Sequence, residues 1–448
     1  MTTHASPIST AGTGVFRRWA RRALAGALVA SCLLAVIALV LAWRQSAAVG
    51  TLFADLDRWE RAYPARGPDA AALRVEELAS RLGAELAPLR AEGRAAADPA
   101  AAEEFAFAAG VAAEYLRGQL GREDAAIDPP DATLVSFLDR RAADLDALVA
   151  ALADGPVPRW ERRIKGIESV IAPRLIALMK LEHLLGVRTL TAVRRGDRAA
   201  ALRDLRAFDR LLASLDGEPL LIDQLVVLAL ERRRLALLRR LPEIPVALIR
   251  RRDPAALRTM IDEALRFETA SQAILARDLA RVSRSGFEDR LIDPVRFPLT
   301  RWYARMCLYD GALAFERRRR QVGARPMSCL AVREDPKLSA PLALAAWNVF
   351  DDGAGLWPRT IDGALQRLSR LALEHEMTVL WAGLLDTADA GAPSVRRMAS
   401  TTCPDGGAFM VERTSDGVLR VAWDGPLRPE PLNRPGIPLS QRRSLRVD

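Results

Sequence analysis

The chain has 448 residues, half of them apolar and 27% charged, and a formal net charge of +9. That length exceeds a usual single domain, so two packed domains or one elongated helical body both fit. The pI near 10.0 invites a nucleic-acid reading, but the charge is badly placed for one. Residues 1–44 hold five arginines and no acid, and the tail from Leu427 holds five arginines against Glu430 and Asp448. The body between them is left near neutral, so nucleic acid is not an expected partner.

The first predicted element is the most informative. Ala23 to Trp43 is an uncharged run whose single polar side chain is Ser31. As a helix it is about 30 Å long, the thickness of a bilayer's hydrocarbon core. It is long for a signal peptide, although Ser46 to Gly50 offers small residues to a peptidase. "VASC", ending at Cys32, resembles a lipobox, yet eleven uncharged residues follow the cysteine. A permanent anchor is therefore expected over a cleaved signal or a lipoprotein. Arg17, Arg18, Arg21 and Arg22 precede the run, whereas Asp55, Asp57 and Glu60 follow it. The positive-inside rule then places the N-terminus in the cytoplasm and the rest across a bacterial inner membrane, in the periplasm.

Helical signals follow one another through the body. Asp98–Pro99 and Asp253–Pro254 each set a capping acid before a first-turn proline, and Asp131 opens a helix whose leucine face runs to Leu152. The periodicity predicts helices over 69–91, 99–121, 159–194, 198–215, 220–240, 254–283, 299–320 and 359–385. The one from Leu220 is apolar nearly all round at its start, which predicts a central, buried position. Arg232–Arg234, Arg250–Arg252 and Arg317–Arg320 are read as solvated helix faces, with an anionic binding patch as the alternative.

Past residue 321 loops dominate until the helix near 359. "GAFMVERTSDGVLRVAW" then alternates on both sides of Ser415–Asp416–Gly417, a β-hairpin signal. Prolines crowd the segment after Leu427, predicting extended chain. The expected fold is mainly α: one transmembrane helix, an irregular multi-helix bundle and a small C-terminal β-hairpin. The divisions are a basic N-terminus (1–22), the span (23–43), a helical body (44–320), a helix-plus-hairpin region (321–426) and a Pro/Arg-rich tail (427–448).

"GDRAAALRDLRAFDRLLASLDGEPLLIDQLV" and "CPDGGAFMVERTSDGVLRVAWDG" carry a resemblance. The arrangement resembles a loose group of uncharacterised bacterial envelope proteins with one N-terminal span, a Leu/Ala-rich helical body and a pseudopilin-like C-terminal hairpin. The span lacks the processed Gly-Phe-Thr and glutamate of a pseudopilin. The resemblance implies a place in the cell envelope and brings no catalytic residue with it.

Motifs of known chemistry are scarce. The sequence has no H-E-x-x-H, G-x-S-x-G, S-x-x-K or Walker loop, and no metal site or cofactor is expected. Glu374–His375–Glu376 is the most eye-catching cluster, the weak candidate for catalysis. Helical spacing sets His375 in register with Leu368, Ala372 and Val379, so a buried histidine with a hydrogen-bond partner is expected, as it is for His183. Asp351, Asp352, Asp386 and Asp389 sit at helix boundaries, where acids act as caps. Of the exported cysteines, Cys307 lies within helical sequence, while Cys329 and Cys403 lie in loop-like surroundings and form the expected disulfide. The leading expectation is a non-enzymatic scaffold or accessory factor that meets the lipid bilayer and other envelope proteins through helical surfaces. An envelope hydrolase and a sensor or regulatory subunit are the alternatives.

Overall fold

The computed structural model describes residues 12–87, 97–163, 170–171, 173–249, 256, 258–270, 312–313, 316, 319–320, 356–386, 394–404, 406–425 and 437–444. Helix α1 runs unbroken from Gly12 to Ala62. Within it Trp19–Arg44, 26 residues, is long and apolar enough to cross a membrane. Its leucines Leu24, Leu34 and Leu39 are exposed and find no protein cover. Ser31 returns its hydroxyl to the carbonyl of Ala27 at 2.8 Å, which satisfies the span's one polar side chain internally, as a lipid surround requires. Cys32 is exposed and free on this helix.

The chain enters the body at Tyr63. Arg66 exchanges both backbone hydrogen bonds with Arg162, at 2.8 and 3.0 Å, and its guanidinium reaches Glu218 and the carbonyl of Trp160. The body is built from α2 (Ala70–Arg81), α3 (Pro99–Leu120), α4 (Ala132–Arg140), α5 (Ala142–Ala153), α6 (Leu175–Arg194), α7 (Arg198–Ala213), α8 (Leu221–Leu238), the single turn α9 (Val246–Ile249) and α10 (Leu356–Asp386). The caps expected at Asp98 and Asp131 are present, Asp253–Pro254 lies outside the described residues, and Asp69 and Asp197 act in the same way: all four acids accept from a backbone N–H of the following first turn, at 2.8–2.9 Å. Gly196, at φ 74, closes α6 before α7 begins.

Gly83 ends α2 at φ 94, and a Cβ built there would lie 2.1 Å from the carbonyl oxygen of Ala101. Gly83→Ala should therefore destabilise the protein by roughly 2–3 kcal/mol, through left-handed strain and the forced separation of α2 from α3. Thermal melts of the purified variant would show it, and an unchanged midpoint would mean that this turn shifts freely.

Three expected helices differ from the structure. The one expected over 69–91 ends at Arg81, where Gly83 turns the chain in the left-handed region. The helix opened by Asp131 breaks at Arg141 into α4 and α5. The break lets Arg140 and Arg141, which a continuous helix would splay apart by about 100°, both reach Glu104 of α3 at 2.6 and 2.7 Å. The helix expected from 159 begins only at Leu175, because Pro173 has no N–H for a helix interior. Before it, β1 (Arg162–Arg163) and β2 (Val170–Ile171) pair antiparallel, and Trp160 is fully buried, its Nε1 donating to Ser214 at 2.7 Å.

As expected, α8 is the central element. It packs against α3, α6, α7 and α10, and its leucines Leu228, Leu230, Leu235, Leu237 and Leu238 are fully buried.

The C-terminal hairpin is the middle of a larger sheet. Strands β3 (Ser394–Ala399), β4 (Ala408–Arg413), β5 (Val418–Asp424) and β6 (Ser440–Ser444) form an antiparallel meander in that order. The predicted turn forms with Gly417 at φ 80 and its N–H on the carbonyl of Thr414 at 3.1 Å. Phe409, Val411, Leu419 and Val421 share the buried face. Strand β6 arises within the tail that was expected to be merely extended. Its outer edge is covered, since the N–H of Arg442 donates to the carbonyl of Glu123 at 2.7 Å and Ser440 bonds the Glu123 carboxylate at 2.6 Å. From that strand Arg443 donates to the carbonyls of Leu241 and Pro242 beyond α8.

Candidate functional site

The three residues Glu374, His375 and Glu376 lie in the second half of α10, which packs along α8. The inward phase of α10 is marked by Leu368, Leu371, Met377, Thr378 and Trp381, all buried. That phase makes Glu374 the innermost of the three, with no solvent exposure, while His375 is half-buried and Val379 exposed.

Glu374 is the centre of a buried arginine cage. Its Oε1 accepts from Arg232 Nε and Nη2 at 3.0 and 2.9 Å and from Arg370 Nε at 3.2 Å. Arg239 completes the group by donating to Thr378 Oγ1 at 2.9 Å and to the Glu374 carbonyl at 3.4 Å. The spacing explains the assembly: Arg232 and Arg239 are two helical turns apart on α8, and Arg370, Glu374 and Thr378 are successive turns on α10. Burial pushes Arg239 down to about 10, and Glu374 works against it.

His375 and Glu376 are likewise engaged. His375 Nε2 lies 3.1 Å from the carbonyl of Ile249, and since a carbonyl only accepts, the ring donates there. Glu376 holds the turn between β3 and β4. It accepts from Ser400 Oγ and the Thr401 N–H, both at 2.7 Å, and from the Thr402 N–H at 3.3 Å. Cys403, one residue on, is buried and disulfide-bonded. Its two candidate partners, Cys307 and Cys329, lie outside the described residues, as do Arg250–Arg252, Asp351, Asp352 and Asp389. The hydrogen-bond partner expected for His375 is thus a backbone carbonyl, on a ring that is half-buried rather than buried. Glu374, rather than His375, is the fully buried member of the three.

The arginine run on α8 also departs from expectation. Arg234 is 1% exposed, chelates Glu231 at 2.9 and 2.5 Å and donates to the carbonyl of Leu248 at 2.8 Å. Arg233 is half-buried near Glu182, and Arg240 donates to the carbonyls of Gln119 and Arg122 at 2.6 and 2.8 Å. These arginines are internal fasteners rather than a solvated face. Their signal in the sequence was the preceding all-round apolar stretch: a helix buried on every side carries whatever follows it inward. His183 sits close to Arg233, and burial, reinforced by that charge, pushes its imidazole down to about 3. It stays neutral across the physiological range.

A second charged group marks the entry from α1 to the body. Glu218 is paired with Arg66 and, at 3.4 Å, with Arg162, whose guanidinium also lies 5.1 Å from the Tyr63 ring centroid. Beside it Asp223, in the first turn of α8, is 3% exposed, and one of its carboxylate oxygens has no hydrogen-bond partner. Burial first, then the charges of Glu218 and Glu268, push Asp223 up to about 7. Glu268 is raised as well, by burial, and accepts weakly from the N–H of Leu221 at 3.4 Å. Among the described residues, no group of three or more histidine, cysteine or acidic side chains is arranged to hold a metal ion. A shallow, open depression between α2 and α3 is lined by Arg81, Asp98, Glu104 and Arg141, and both arginines there are already paired with glutamates.

The protein is thus a mainly helical one with a long apolar N-terminal helix and a C-terminal antiparallel sheet. No family model, curated protein or solved structure matches the chain.

Proposed function

We propose that this protein is a single-pass scaffold or accessory factor of a bacterial cell envelope, its N-terminus cytoplasmic and its body periplasmic. The observation that carries this reading is the engagement of the charged residues that looked available for chemistry. Glu374, His375 and Glu376 each fasten α10 to a different neighbour, namely α8, α9 and the sheet. Such fastening favours a rigid body that presents surfaces. The bonded Cys403 supports an oxidising compartment for the body, in keeping with the arginine excess before the span.

Two measurements test the placement. A periplasm-active reporter fused after Asp448 should be active, and silence there would overturn the orientation. Non-reducing peptide mapping should recover Cys403 joined to Cys329, whereas a Cys307–Cys403 peptide would overturn that pairing. For the scaffold role, the full-length protein extracted in mild detergent should migrate well above one chain plus its micelle, with another envelope protein at fixed stoichiometry. A lone monomer under every gentle extraction would remove the reading.

A further inference from the structure

The two edges of the C-terminal sheet are treated differently. The outer edge of β6 is covered by residues 123–124, through the Arg442–Glu123 hydrogen bond and a parallel bridge from Asp124 to Arg442. Strand β3 pairs with β4 on one side, and among the described residues nothing pairs with its other side. Its side chains are exposed on both faces: Val395 is 66% and Met398 42% exposed, and Arg396, Arg397 and Ala399 are exposed too. This is six residues of regular strand, long enough to template another.

We infer that the free edge of β3 is a docking site for an extended, acidic segment of a partner protein, which adds to the sheet as a fifth strand. Backbone pairing alone would accept any extended chain, so the side chains decide the occupant. Val395 and Met398 flank Arg396 and Arg397, which point to opposite faces of the sheet. Among the described residues Arg396 has no ion-pair partner, and Arg397 has only Asp424, at 4.0 Å between two exposed groups. A complementary strand therefore reads apolar–acid–acid–apolar over four residues. That pattern is the same in either direction, so parallel and antiparallel addition both satisfy it.

A second copy of this chain fits poorly. Centred antiparallel pairing of β3 with itself would set Arg396 against Arg397 twice, and like charges directly opposite destabilise a sheet. The same two arginines that discourage self-association thus select the acidic partner. This inference deepens the scaffold reading by giving the partner a chemistry, and the two can fail separately. Loss of the peptide binding described next would remove this edge, whereas only the lone monomer would remove the scaffold role.

The test uses full-length protein in detergent and capped ten-residue peptides carrying a central Val-Glu-Glu-Val or Val-Lys-Lys-Val. By fluorescence anisotropy the acidic peptide should bind at least tenfold more tightly. The exposed double variant Arg396→Glu/Arg397→Glu should reverse that preference. Two further acidic peptides, N-methylated at alternate sets of residues, keep the charge while removing one set of backbone donors each. One should bind like the parent and the other should not. Equal binding of acidic and basic peptides, no binding by either, or equal behaviour of the two methylated peptides would overturn the inference. So would self-association in the parent that the charge reversal alters, because the occupant would then be a second copy.

Discussion

Glu374→Leu should destabilise the protein by about 3–5 kcal/mol, the usual cost of removing one member of a buried charge network. The size comes from what is left behind. Arg232 and Arg370 lose the oxygen that accepts three of their N–H groups, and fully buried Arg239 loses its nearest opposing charge. Leucine fills the volume but accepts nothing. Glu374→Gln keeps an accepting oxygen in place and should cost less, although it too leaves positive charge uncompensated. Denaturant unfolding followed by tryptophan fluorescence is a suitable readout, since Trp381 is buried two turns further along the same helix. If the leucine variant unfolds at the parent's midpoint, the arginine cage contributes nothing to stability, and α10 is held by its apolar contacts alone.

The second large effect is on pH dependence. Asp223 is pushed from 3.8 to about 7, so between those values the folded protein holds a proton that the unfolded chain releases. The contribution of Asp223 to stability is then greatest below about pH 4 and falls as pH rises, until the folded carboxyl has ionised above pH 7. A shift of that size corresponds to roughly 4 kcal/mol. Asp223→Asn abolishes the titration. It should match the parent near pH 4 and exceed it by several degrees in melting temperature at pH 8. Glu218, Glu268, Tyr63, Arg66 and Arg162 surround or adjoin the site and are unchanged in the comparison. Parallel pH profiles for parent and variant would show that Asp223 is solvated or paired in solution. Asp204, raised to about 6 chiefly by burial, leans the same way, but Arg188 stands beside it and pulls it back.

The sequence makes some of this visible and hides the rest for identifiable reasons. Asp98–Pro99 and Asp131 were legible as helix starts because capping is local: one side chain bonds the backbone two residues away. The β4–β5 hairpin was legible for the same reason, since Gly417 and the alternation around it lie within seventeen residues. Strands β3 and β6 were not. "SVRRMA" buries neither face, and "SQRRS" is polar throughout, so both are strands by virtue of neighbours far along the chain. The candidate cluster was found but its phase was misjudged. Of the residues set in register with His375, Leu368 and Ala372 are buried but Val379 is exposed, and Leu371 and Met377 show that the inner face is centred to one side of the histidine. An error of one residue turns a helix by about 100°, and that is the difference between a candidate base and a structural pivot. Arg232 and Arg239 were hidden for a further reason: the Glu374 carboxylate that opposes their charge lies more than a hundred residues away.

The continuity of α1 sets a distance. The 18 residues from Gln45 to Ala62 carry the same helix beyond the apolar segment, a rise of about 27 Å at 1.5 Å per residue. A rod of that length is a stand-off: it fixes a height as well as an attachment. With the apolar segment in a bilayer, Tyr63 and everything after it would begin several headgroup layers away from the lipid. Whatever the body meets would then be met at that altitude, by molecules tall enough to reach it.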